Sequence, residues 1–253
     1  MIKNLIFDLD GVLVDTRDIH YEALNYALKK NDLPIISYND HLRVFDGLPT
    51  LKKIEIINQK NKISELKKKK IVKLKNKQTN NLLKKKIKYD KRVEKIFKKL
   101  SINYKISIAS NAIKKTLDIC INNLKIKRYI HTYLSNQDVK NSKPHPEIYM
   151  KMMLNMNARP KETLIIEDSH YGRVAAKESG AFLFPVDNIK DVNLEKINTM
   201  IKEINSIEKY KDKMDSWDDK MLNIIVPMAG AGQRFIDAGY SFPKPLIEVF
   251  KKP

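Results

Sequence analysis

The chain has 253 residues, 42% hydrophobic and 31% charged, with one cysteine and a formal net charge of +19. That length buries a core without disulfide or metal staples, and a lone cysteine excludes an internal disulfide. No apolar run approaches the roughly 20 residues of a membrane-spanning helix, so no membrane partner is expected; Asp8 and Asp10 cut the N-terminal apolar run, so a cytoplasmic location is expected.

The first predicted strand, Leu5 to Phe7, ends at Asp8. Helical patterning follows for almost a hundred residues, far more than one crossover between parallel strands needs, so an inserted helical domain is placed at residues 17–90, hinged near Val14 to Thr16 and near Tyr89-Asp90. His20, Ala23, Leu24 and Ala27 give its first helix an inward face, and Gly47-Leu48-Pro49 marks a turn before helix resumes at Leu51. Between Lys67 and Leu100, fifteen lysines and one arginine face only Asp90 and Glu94. This block holds most of the excess charge and reads as a helix with a solvated face, so a nucleic-acid partner is not expected.

Further strands are predicted at Ile106 to Ala109 before Ser110, at Leu164 to Ile166 before Glu167-Asp168, and at Phe182 to Val186 before Asp187. A helix opening at Ala112 carries the stripe Ile113, Leu117, Ile121 and Leu124, with Cys120 beside it as a core residue. Beyond Val186, Ile189, Val192, Ile197, Ile201, Ile204 and Ile207 recur at near-helical spacing, then a polar linker runs through Trp217 to Lys220. The expected fold is therefore α/β: a doubly wound, Rossmann-like parallel sheet from residues 1–16 and 91–190, the all-helical cap at 17–90, an amphipathic helix and linker at 191–220, and a separate segment at 221–253.

In such sheets ligands bind at the carboxyl ends of the strands, where Asp8, Ser110 and Asp168 all fall. Asp8 and Asp10, two residues apart with Gly11 allowing a turn, call for a compensating cation. Mg²⁺ suits carboxylates and a substrate phosphate, with Asp168 and Glu167 as further ligands. Ser110 and Asn111 offer hydroxyl, amide and helix-N-terminal NH groups to an anion, and Lys143, in a loop stiffened by Pro144 and Pro146, adds a point charge.

The set Asp8-x-Asp10-Gly11, Ile108-Ala109-Ser110-Asn111, Lys143-Pro144-x-Pro146-Glu147-x-Tyr149 and Ile165-Ile166-Glu167-Asp168-Ser169-x-x-Gly172 resembles the four motifs of the haloacid dehalogenase-like hydrolases, in their beta-phosphoglucomutase and phosphoglycolate phosphatase branch. The resemblance spans about residues 1–190. It implies that Asp8 attacks phosphorus to form an aspartyl-phosphate, that Asp10 protonates the leaving alcohol and then activates water, and that Ser110 and Lys143 neutralise the transferring group. It also implies Mg²⁺ held by Asp8, the Asp10 carbonyl and Asp168. The substrate expected is a small phosphorylated metabolite.

Within that branch the mutase carries an arginine three positions after the cap's glycine turn, where this chain, counting from Gly47, has Thr50. Lys52 and Lys53 lie close by, and His20 matches the mutase pattern. A phosphatase is the first expectation and a sugar phosphomutase the second. Residues Ile224 to Phe235, with Ala229-Gly230-Ala231-Gly232, and Pro243-Lys244-Pro245-Leu246-Ile247 are similar to the opening of sugar-phosphate nucleotidyltransferases. Thirty-three residues are too few to bury a nucleotide site, so no nucleotide binding is expected from them, although a bifunctional phosphatase and nucleotidyltransferase is an alternative. A polyanion-binding protein using the lysine-rich cap is the non-enzymatic alternative.

Overall fold

A computed structural model describes residues 1–214. Residues 1–209 form one compact unit. The linker and the nucleotidyltransferase-like segment read from the sequence at 215–253 lie outside the described residues.

Five parallel strands make one sheet in the order β3-β2-β1-β4-β5. They are β1 (Asn4–Phe7), β2 (Lys105–Ala109), β3 (Thr132–Leu134), β4 (Thr163–Glu167) and β5 (Phe182–Pro185). The central β1 pairs on both sides, Leu5 with Ile106 and with Leu164, and all four of its residues are buried, Asn4 and the apolar run Leu5 to Phe7. Side-chain alternation splits the core into two layers. Leu5, Phe7, Leu164 and Ile166 join the cluster on one face, and Ile6 and Ile165 join that on the other.

Helix α5 (Lys91–Leu100) precedes β2, and α6 (Lys114–Asn123), α7 (Glu147–Met156), α8 (His170–Glu178) and α9 (Leu194–Met214) complete the covering. The Asp90 carboxylate caps α5 through the Arg92 and Val93 amides and so marks where the chain re-enters the sheet region.

Between β1 and α5 lie α1 (Arg17–Lys29), a short turn α2 (Tyr38–Asp40) running into a π-helical turn (His41–Phe45), α3 (Thr50–Asn61) and α4 (Glu65–Lys86). These helices own a separate apolar cluster that includes Leu24, Leu28, Phe45, Ile54 and Ile71. On α4 the residues Ile71, Lys75, Thr79 and Leu83, four apart, are buried, and most of its other lysines face solvent. The Thr116 hydroxyl of α6 donates to Asn80 Oδ1 of α4 at 2.8 Å, a buried bond that joins the two layers of helices.

Three details differ from the sequence expectation. Strand β3 is unforeseen: it is a three-residue edge strand, too short and too mixed to show a period. The helix after Asn111 begins at Lys114 rather than Ala112, because Ala112 gives its amide to Ser110 Oγ. Finally, α9 starts at Leu194, so Ile189 and Val192 precede it; Ile197, Ile201 and Ile204 are buried while Ile207 is 57% exposed. Among the described residues no helix is long and apolar enough to cross a membrane.

Candidate active site

The carboxyl ends of β1, β2 and β4 meet at one cavity of about 90 Å³, whose other walls come from α1, α3 and α4. On its floor the Lys143 ammonium donates to Asp8 Oδ1 at 2.5 Å, to Glu167 Oε2 at 2.8 Å and to the Ala109 carbonyl at 3.0 Å. Every donor of that ammonium is used, so Lys143 is fixed in place. Glu147 positions the loop that delivers it by accepting from the Lys140 and Asn141 amides. The Tyr149 hydroxyl donates to Glu167 Oε2, and its ring lies 4.7 Å from the Lys143 ammonium.

Glu167 is fully buried, and its other oxygen accepts from the Asp168 and Ser169 amides and the Ser169 hydroxyl. A Cβ on Gly172 would lie 2.0 Å from the Glu167 carboxyl carbon, so the approach of α8 requires glycine there. Gly11 sits at φ +82°, and a Cβ on it would fall 1.9 Å from Asp168 Oδ2. The turn after Asp10 therefore leaves room for the third carboxylate.

Asp10 faces the other way. It accepts from the Thr16 hydroxyl at 2.6 Å, from His20 Nε2 at 3.2 Å and from the Ser110 hydroxyl at 3.3 Å. Burial pushes its carboxyl up, but the hydrogen bonds from His20 and Thr16 outweigh that and hold it below the usual carboxylate range. Lys75 stands 3.3 Å from His20 Nδ1. Burial, then the Lys75 charge, pushes the imidazole pKa down, with Nε2 against Asp10 and Nδ1 against the Lys75 ammonium. Asn111 ties the layers together: its amide lies 3.4 Å from both the Gly47 and Lys143 carbonyls, and its Oδ1 accepts from the Lys143 amide.

Of the residues named from the sequence, Asp8, Asp10, Ser110, Asn111, Lys143, Asp168, His20, Gly47 and Thr50 line this cavity. Glu167 lies just beneath it, against Lys143. Lys52 turns to solvent and pairs with Glu55 at 3.1 Å. Its neighbour Lys53 turns inward instead and lines the cavity, as do Thr16, Lys75 and Thr79. The sequence did carry a signal for two of these: Lys75 and Thr79 continue the four-residue stripe of Ile71 and Leu83.

Ligand atoms of Asp8, Glu167 and Asp168 lie within 4.8 Å of one another. Asp168 Oδ1 is buried with no hydrogen-bond partner. Asp8 and Glu167 thus share one ammonium, and Asp168 beside them has no ion pair. Burial, then the Glu167 charge, pushes Asp8 well up and Asp168 to about 8. An all-oxygen donor set with an orphaned buried carboxylate oxygen fits a hard divalent cation.

The family profile described as "Haloacid dehalogenase-like hydrolase" matches residues 5–186. Among curated relatives, the pyrophosphatase PpaX of Anoxybacillus flavithermus is 26% identical over 179 residues, which are 71% of this chain and 80% of the relative. A phosphorylated carbohydrates phosphatase of Thermotoga maritima is 28% identical over 189 residues, 71% of this chain and 82% of the relative. Among solved structures, a beta-phosphoglucomutase of Clostridium difficile superposes with a TM-score of 0.69 at 25% identity, covering 82% of this chain and 99% of that one.

Proposed function

The chain belongs to the haloacid dehalogenase-like hydrolase family, and from that premise we propose that it is a Mg²⁺-dependent phosphohydrolase that cleaves a small phosphorylated metabolite, a sugar phosphate or similar ester, through an aspartyl-phosphate on Asp8. The observation that carries this reading is the division of labour between two aspartates on one cavity. Asp8 is gripped by Lys143, whereas Asp10 is held apart from it by Thr16, His20 and Ser110.

In the first half-reaction an Asp8 oxygen attacks phosphorus, a P–O bond to Asp8 forms, and the P–O bond to the alcohol breaks with its electron pair. The leaving oxygen takes a proton from Asp10, whose carboxyl is pushed toward its acid form by the incoming phosphate charge. Asp10, now a carboxylate and held so by its three hydrogen bonds, then removes a proton from water. The hydroxide attacks phosphorus, the Asp8–phosphorus bond breaks, and inorganic phosphate leaves. Lys143 and Ser110 stabilise charge on the transferring group, and Asn111 holds the Lys143 loop. Mg²⁺ bound by Asp8, Asp168 and the Asp10 carbonyl, with Glu167 beside them, would offset the charge of the carboxylates and the phosphoryl oxygens.

A panel of sugar phosphates, small phosphorylated acids and pyrophosphate, assayed for phosphate release with and without Mg²⁺, tests the reading. Release that depends on Mg²⁺ and on Asp8, with phosphate trapped on Asp8 after rapid quenching, is the expected result. Release unaffected by Asp8→Asn would overturn it.

The His20 bond to Asp10 favours a second reading, a sugar phosphomutase, in which the phosphate is returned to another hydroxyl. Isomerisation of a sugar phosphate without net phosphate release would select it. Polyanion binding by the lysine-rich helices instead requires salt-sensitive DNA or RNA binding that survives Asp8→Asn. The bifunctional alternative rests on residues 221–253.

A further inference from the structure

Helix α4 has two faces, and only the inner one serves the cavity. Ile71, Lys75, Thr79 and Leu83 are buried, whereas Lys69, Lys70, Lys73, Lys77, Lys84 and Lys85 are exposed. At 3.6 residues per turn those six lysines fall within an arc of about 160°, opposite the buried stripe. The ion pairs of α4 lie at its ends, Lys68 with Glu65 and Lys86 with Glu22, and among the described residues none of the six has a partner. Lysines elsewhere behave differently: Lys3 pairs with Glu162, Lys52 with Glu55 and Lys196 with Asp191. No acidic residue occurs between Leu66 and Tyr89, so the helix cannot neutralise itself.

Exposure alone agrees with the solvated face and the lack of a nucleic-acid partner expected from the sequence; the segregation of unpaired charge does not. Lys69 and Lys73, and Lys73 and Lys77, are like charges four residues apart, a spacing that destabilises a helix. Lys67 stands in the first turn, where the helix dipole disfavours a cation. A polyanion reverses both costs. From Lys69 to Lys85 the row is about 24 Å long, and duplex DNA carries about 14 phosphate charges over that length. Helix α4 contains no aromatic residue on which unpaired bases could stack, so a single strand is the poorer fit. A lipid surface takes up the apolar face of an amphipathic helix, and here that face is buried in the protein.

We propose that the outer face of α4 is a docking surface for duplex DNA, which it holds by the phosphate backbone without reading base sequence. This goes beyond the hydrolytic reading and does not rest on it, because none of the six lysines lines the cavity. Contact with phosphates alone makes the binding salt-sensitive and indifferent to the sequence of the duplex.

Fluorescence anisotropy of a labelled DNA duplex two helical turns long, titrated with the full chain, tests the proposal. Binding in the micromolar range is expected at about 50 mM NaCl, and raising the salt to about 200 mM weakens it about a hundredfold or more. Lys69→Glu, Lys73→Glu and Lys77→Glu together weaken binding about thirtyfold or more at the lower salt and reduce the salt slope by about 3. The same three positions changed to arginine preserve it. A control with Lys95→Glu, Lys98→Glu and Lys99→Glu, exposed lysines of α5, alters net charge equally and weakens binding less than about fivefold. The thermal melt of each variant verifies folding. No binding at the lower salt, an equal loss in the two glutamate variants, or tighter binding to phosphatidylserine vesicles or to a single strand than to the duplex overturns the proposal.

Discussion

The floor and the roof of one cavity treat buried charge in opposite ways. On the floor, Lys143 bridges Asp8 and Glu167, and Tyr149 and two backbone amides satisfy what Glu167 has left. On the roof, Lys53 and Thr79 have no hydrogen-bond partner for their side chains. The network around Lys143 is saturated and fixes atoms where a bond must form, whereas Asp168 Oδ1 beside it and Lys53 and Thr79 on the roof lack the partners that a bound group would bring. In the proposed reaction the floor carries the chemistry, so substitutions there and in the roof should fail in different ways.

The largest effect is expected at Asp8. Asp8→Asn keeps the shape of the floor and removes the nucleophile, so kcat should fall by about four orders of magnitude or more, with the thermal melt little changed. Lys143→Met should damage the fold as well. It leaves Asp8 and Glu167 buried without their cation, and unfolding in denaturant should show a loss of about 3–5 kcal/mol, the size expected when one partner of a buried ion pair is removed. A Lys143→Met protein as stable as the wild type would show that the floor is less saturated than its geometry implies.

The same contrast explains what could be read in the sequence. Apart from Lys143, on a loop, and Tyr149, on α7, the floor residues stand at strand ends, where an apolar run breaks abruptly into Asp8, Ser110 or Glu167-Asp168, so their placement followed from the pattern. The alternation of strands and helices, and the excess of helix between β1 and β2, were equally legible. The roof was legible only in part: Lys75 and Thr79 stand on the stripe of Ile71 and Leu83, whereas Lys53 is one lysine among many with no such stripe to mark it. Lys52 and Lys53 are adjacent and face opposite ways, a distinction fixed by the packing of α3 and not by composition. Strand β3 escaped because its three residues are held by pairing with β2, from Ser107–Thr132 to Ala109–Leu134, rather than by any local preference.

The roof is also where pH should act. His41, in the π-helical turn, is buried against Tyr21 and Tyr38 with Lys53, Asp46 and His20 nearby, and the Arg17 backbone gives it only weak support. Burial, then the Lys53 charge, lowers its pKa to about 4 from an ordinary 6.5. Between those values the unfolded chain binds a proton that the folded chain refuses. Stability attributable to this residue is therefore complete above pH 6.5, declines as pH falls, and levels off below about 4. Denaturant unfolding of the wild type at pH 7 and pH 5 should differ by about 1–2 kcal/mol more than that of His41→Phe, which cannot titrate there. Parallel pH profiles in the two proteins would mean that His41 is solvated.

The smallest effect belongs to the seam between the two regions, where the Thr116 hydroxyl of α6 meets Asn80 of α4, on the same helix as Lys75 and Thr79. Thr116 itself lines the cavity, and its bond holds α4 over the site. Thr116→Val keeps the shape of the side chain and leaves Asn80 Oδ1 without its donor, at a cost of about 1 kcal/mol. That cost falls on the arrangement with α4 seated, so kcat/KM should drop by at most about fivefold, and equally on every ester that releases phosphate. A substrate-dependent loss in Thr116→Val would show instead that α4 shifts along the cavity rather than lifting away from it.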